Sequence, residues 1–156
     1  MKSFGLFVCL LLCVLPSQIT AKDQKVMFAK AVGVKVEDVV ECLNKINTDF
    51  ETLMELGDTV SIEDEGTHTQ EVISKIGCFG ACIFKKNGLL VNSKIIPEKV
   101  EEASTRMGRR DPNVLEYLRP AIQRCTNRVS KLTNDCDITF MFSQCVVKEM
   151  QSSRSQ

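Results

Sequence analysis

Six cysteines lie beyond residue 21, at Cys42, Cys78, Cys82, Cys125, Cys136 and Cys145. They restrict the fold more than any other feature. An even set in an oxidising compartment pairs, and each pair pins two distant points of the chain. The segments between them hold 35, 3, 42, 10 and 8 residues. Cys78 and Cys82, four apart, would share one face of a helix, with their Cβ atoms somewhat too far apart for an unstrained mutual bridge. Such a helix is expected to act as a strut tied to two others. Spacing alone does not choose among the possible pairings.

The count of six depends on the N-terminus. The full chain of 156 residues has eight cysteines, and the other two are Cys9 and Cys13. Lys2 precedes a nearly unbroken apolar run from Phe4 to Leu15; Pro16 and Ser17 end it, and Ile19-Thr20-Ala21 suits a small-residue cleavage site. Residues 1–21 are therefore expected to be a secretory signal peptide. The run falls short of the about 20 residues a membrane span needs. What remains, 22–156, is one domain's length, expected to be secreted and extracellular. The formal net charge of the whole chain is zero, and losing Lys2 makes it −1. No charge field is present to attract nucleic acid or an anionic membrane. No Asn-X-Ser/Thr sequon occurs.

Apolar spacing is helical almost throughout. A first short piece covers Val26 to Val32, ahead of Gly33. Val36, Val39, Val40, Leu43, Ile46, Phe50, Leu53 and Met54 then recur at three- and four-residue steps, which predicts one long amphipathic helix ending at Gly57. Residues 57–70 are polar and acidic and are expected to form a loop. Helix resumes near Glu71, carries Ile76, Phe79 and Ile83, and stops at Asn87-Gly88. Pro97 opens a short helix through Met107, and Asp111-Pro112 starts the next, through Val129. Pro120 inside that helix predicts a kink or break. A last helix runs from about Asp137 to Met150, and no alternating strand pattern is visible. The expected class is all-α: a compact five-to-six-helix, disulfide-crosslinked domain.

Little in the sequence could do covalent chemistry. His68 is the only histidine, set in the acidic loop near Asp58, Asp64 and Glu65. A general base needs a positioned partner and a sheltered site, and a zinc site needs three or four ligands. With the cysteines committed to bridges, neither is expected, and His68 reads as solvated. Arg106 with Arg109-Arg110 reads as a cationic helix end rather than a phosphate site. Ile62-Glu-Asp-Glu65 lacks the spacing of a calcium loop. No Walker loop, dinucleotide fingerprint or nucleophile elbow is present. No enzyme activity, cofactor or metal is expected. The apolar residues, Phe28, Phe50, Phe79, Phe84, Phe140 and Phe142 among them, could fill a core or surround a cavity.

The pattern Cys42, Cys78-Phe-Gly-Ala-Cys82, Cys125, Cys136 and Cys145 resembles that of the insect odorant-binding proteins of the pheromone-binding and general-odorant-binding (PBP/GOBP) type. The three- and eight-residue gaps match that family's most invariant spacings; the 35-residue first gap is longer than usual. The resemblance covers residues 22–150. It implies the pairs Cys42–Cys82, Cys78–Cys136 and Cys125–Cys145, and an odorant-binding-protein-like fold around an apolar cavity. The implied role is transport of an odorant, pheromone or similar lipophile in olfaction, with a small hydrophobic molecule and a membrane receptor as partners and a monomer or homodimer as the assembly. Inward-facing residues expected to line a cavity are Leu53, Met54, Val72, Ile76, Phe79, Ile83, Leu89, Leu90, Val114, Leu118, Ile122, Phe140 and Met141. The segment after Cys145 is short and mostly polar, enough to cover a cavity mouth but not to thread through as an extra apolar helix. A gland, venom or salivary protein binding another lipid or amine, and an interaction module with a filled core, are the alternative roles for such a fold.

Overall fold

A computed structural model describes residues 20–59, 70–107 and 113–154. Residues 1–19 of the expected signal peptide, His68 with Asp64 and Glu65, and Arg109-Arg110 lie outside the described residues. Seven helices and one small hairpin occur among those described. In chain order they are α1 (Ala21–Val32), α2 (Val36–Lys45), α3 (Phe50–Thr59), α4 (Gln70–Lys86), β1 (Leu90–Val91), β2 (Lys94–Ile95), α5 (Pro97–Met107), α6 (Asn113–Val129) and α7 (Asp135–Arg154).

Local chemistry sets most boundaries. The Thr20 hydroxyl accepts from the Asp23 backbone N–H at 3.3 Å, and the Asp23 carboxylate accepts from the Thr20 N–H at 3.2 Å, so both caps of a capping box start α1. Gly33, at φ +75°, ends it in the left-handed region. The long helix expected from Val36 to Met54 is two helices. Asn47 takes φ +50° and turns the chain, and Asp49 restarts it by accepting from the Thr52 N–H at 2.8 Å. Asn and Asp make such local bonds readily and tolerate the left-handed region, so they overrode the continuing apolar period. Gly57 does not end α3, which continues to Thr59.

The carboxyl half departs from expectation less. Asn134 caps α7 by accepting from the N–H groups of Cys136 and Asp137, so that helix begins two residues early, and it runs on to Arg154. The described part of the tail, to Arg154, is thus helix. α6 continues through Pro120 without ending. The hairpin pairs Leu90 with Ile95 and Val91 with Lys94 across Asn92 and Ser93, both at positive φ. Its two-residue strands are too short to leave an alternating signal, and their purpose is to bury Leu90 and Ile95.

The fold is all-α, with α4 at its centre. Cys42–Cys82 ties α2 to α4, Cys78–Cys136 ties α4 to α7, and Cys125–Cys145 ties α6 to α7. Cys78 and Cys82 therefore reach different helices, and the pairs are those implied by the family resemblance. One core cluster joins α1 to α4 through Ala29, Val39, Leu43, Phe50, Leu53, Phe79 and Ile83. The other joins α4 to the hairpin, α5, α6 and α7 through Ala81, Leu90, Ile95, Val100, Ile122, Ile138 and Phe142. α4 and α7 approach closely at Gly77 and Gly80. A Cβ on Gly80 would lie 2.8 Å from Thr139 Cγ2, closer than packed atoms tolerate.

Candidate ligand-binding cleft

Four helices leave a gap between them. α1 contributes Phe28; α3 contributes Leu53, Met54 and Gly57; α4 contributes Ile76, Phe79, Gly80 and Ile83; α7 contributes Thr139, Phe140, Ser143, Gln144 and Val147. The cleft they line has a volume of about 360 Å³. No charged side chain is among them. The Phe28 ring meets Phe50 edge-on at 5.5 Å and leans on Phe79 at 5.8 Å between centroids, so α1 is held to α3 and α4 by aromatic contacts.

The helical period explains the lining. Ile76, Phe79, Gly80 and Ile83 fall at three- and four-residue steps on α4, and Phe140, Ser143, Gln144 and Val147 do so on α7. Glycine at position 80 lets α7 close against α4, and Thr139, packed there, donates its hydroxyl to the Asp135 carbonyl at 2.9 Å.

Of the residues expected from sequence to line a cavity, the structure brings Leu53, Met54, Ile76, Phe79, Ile83 and Phe140 together on this cleft. The others lie elsewhere. Leu89, Leu90 and Ile122 are buried in the second core cluster, and Leu118 packs against it. Val72 and Val114 are half-buried on α4 and α6, outside the lining. Met141 points away from its neighbour Phe140 and is 45 % exposed. Sequence reasoning missed Phe28, Gly57, Gly80, Thr139, Ser143, Gln144 and Val147. Val147 was accessible to it, seven residues beyond Phe140 on the same helical face.

A second groove of about 440 Å³ runs beside the Cys42–Cys82 and Cys78–Cys136 bridges, lined by Lys45, Lys85, Lys86, Thr133, Asn134 and Asp135 among others. Its cations are already matched. Lys86 bridges Glu41 at 2.6 Å and Asp38 at 3.3 Å, Lys45 meets Glu41 at 2.8 Å, and Lys85 pairs with Asp135. Hydrogen bonds from Lys45 and then Lys86 hold the Glu41 carboxyl at a pKa of about 2. The Asp135 carboxyl is held below its ordinary range by Lys85 first, then Ser93. Among the described residues no group of three His, Cys, Asp or Glu side chains is placed to hold a metal ion. None of the described helices is long and apolar enough to cross a membrane.

Interlocked disulfides around a central helix, with a largely apolar cleft beside it, define an all-helical six-cysteine domain of the odorant-binding type. The chain belongs to the PBP/GOBP family, whose sequence model matches residues 35–149. It is similar to the pheromone-binding protein Gp-9 of Solenopsis nigella gensterblumi, 23% identical over 119 residues covering 76% of each chain. It is also similar to the Gp-9 proteins of Solenopsis globularia littoralis, 23% identical over 76% of this chain and 75% of that one, and of Solenopsis richteri, 21% identical over 76% of each. No solved structure matches the chain.

Proposed function

We propose that the protein is a secreted, non-enzymatic carrier that holds a small hydrophobic molecule, an odorant, pheromone or similar lipophile, in the cleft between α1, α3, α4 and α7. One observation carries this reading: about 360 Å³ of space lined, among the described residues, mostly by phenylalanine and aliphatic side chains and by no charge. Space of that size and lining is typical of small-molecule sites, and apolar cavities stay dry and take up apolar guests. The pheromone-binding names of the relatives and the family membership support it. In this reading residues 1–21 are a signal peptide, 22–156 are the mature domain, and a membrane receptor is the partner beyond the ligand.

Displacement of the fluorescent probe N-phenylnaphthylamine tests the proposal. The probe is expected to brighten on binding and to be displaced by long-chain lipophiles. Absence of binding by every lipophile tried, with the disulfides intact, overturns it. N-terminal sequencing of the secreted protein tests the cut, which is expected to leave Lys22 first.

A further inference from the structure

We infer that Asn87 is a positioning residue for ligand binding: its side-chain amide sets the register of α1 against α4 and so holds Phe28 at the wall of the cleft. This rests on the carrier reading above. Asn87 Nδ2 donates to the Val32 carbonyl at 2.9 Å. Val32 is the last residue of α1, where carbonyls lack a partner within the helix. Both ends of the bond sit one turn beyond a lining residue. Phe28 precedes Val32 by four residues, and Ile83 precedes Asn87 by four. Asn87 is itself fixed, because its backbone N–H donates to the Ile83 carbonyl at 3.1 Å and nearby Cys82 is bridged to Cys42. α1 contains no cysteine, and it packs on the domain through apolar side chains, Phe28, Ala29 and Val32. Apolar attraction is non-directional, so it holds α1 down without fixing its rotation or its slide. A hydrogen bond is directional and fixes both. The Phe28 ring lies only one turn away, about 6 Å along the helix axis, so restraint at Val32 reaches it with little play.

Affinity for N-phenylnaphthylamine in the wild type, Asn87→Ala, Asn87→Asp and Leu90→Ala tests the inference, with hydrogen exchange read on the same full-length, disulfide-bonded proteins. Asn87→Asp keeps the side chain's shape but replaces the donor with an acceptor facing the negative end of α1. Both Asn87 variants are expected to weaken the probe about three- to tenfold, the shift expected when one hydrogen bond no longer secures the binding arrangement. They are also expected to speed exchange in α1 while leaving α7 unchanged. Leu90→Ala removes buried apolar contact away from the cleft and is expected to leave affinity within about twofold, so lost stability alone does not mimic the effect. The wild type supplies a readout that needs no variant to fold. If the bond favours the guest, the guest must strengthen the bond, so probe binding is expected to slow exchange of the Asn87 side-chain amide protons. Asn87 variants within about twofold of the wild type, a loss confined to Asn87→Ala, or amide protons indifferent to the probe overturn the inference while leaving the carrier reading intact. A wild type that binds neither probe nor lipophile removes the carrier reading, and the inference with it.

Discussion

Gly77 of α4 faces the backbone of Cys136 on α7 so closely that a Cβ at Gly77 would collide with the Cys136 carbonyl oxygen and lie 2.9 Å from its carbon. The obstacle is backbone, itself fixed by the disulfide from Cys78 to Cys136, so it cannot give way as a flexible side chain could. Gly77→Ala is expected to destabilise the protein by about 1–3 kcal/mol, the usual cost of overpacking. Gly57→Ala has the opposite sign. Among the described residues nothing lies within 4 Å of its Cβ position, and α3 continues past it, so the added methyl should stabilise by about 0.5–1 kcal/mol. Thermal melts of the two variants check both signs.

The two clusters separate stability from binding. Leu90 is buried in the hairpin cluster away from the cleft, and Leu90→Ala should cost about 2–5 kcal/mol while leaving probe affinity within about twofold. Leu53 borders the cleft. Leu53→Ala should change probe affinity and cost stability near the lower end of that range. Chemical denaturation paired with probe titration distinguishes the two. Equal loss of binding in both variants would contradict the placement of the cleft.

Low pH should loosen the α2–α4 contact. The folded pKa of Glu41, about 2, lies below its ordinary value of 4.5, so its contribution to stability is complete above 4.5 and is lost as pH falls towards 2. Glu41 is exposed, so the effect is modest and shrinks with added salt. Melting temperature measured across that window should fall less steeply for Glu41→Gln than for the wild type, and the difference should narrow at high ionic strength.

The bridges differ in the length of chain they close. Cys78–Cys136 spans a sequence separation of 58 and Cys125–Cys145 one of 20. In the chain-entropy account the longer loop is worth about 1 kcal/mol more. Replacing Cys78 and Cys136 together by serine is therefore expected to lower the denaturation midpoint further than replacing Cys125 and Cys145. A reversed order would mean that local packing, not loop closure, sets the value of each bridge.

The central position of α4 was legible in the sequence, because two cysteines one turn apart have few other uses. The break after Lys45 was not. Val39, Leu43, Ile46, Phe50 and Leu53 keep a helical rhythm across it, although the backbone reverses at Asn47. The local signal was Asp49 three residues before Thr52, a cap hidden inside an apolar stripe. Apolar pattern distinguishes inside from outside but not cleft from core. Leu90 and Ile122 have the character of Leu53 and Ile83, and only the packing of distant helices decides which face meets open space.

The disulfides are distributed unevenly around the cleft. α4 and α7 carry four of the six bridged cysteines and are bonded to each other, whereas α1 and α3 carry none. The cleft therefore has a stiff side and a compliant side. Guests of different girth would be accommodated by displacement of Phe28, Leu53 and Met54, while the spacing between Phe79 and Phe140 stays nearly constant. Hydrogen exchange should register this as faster opening of α1 and α3 than of the bonded pair, with guest uptake slowing mainly the former.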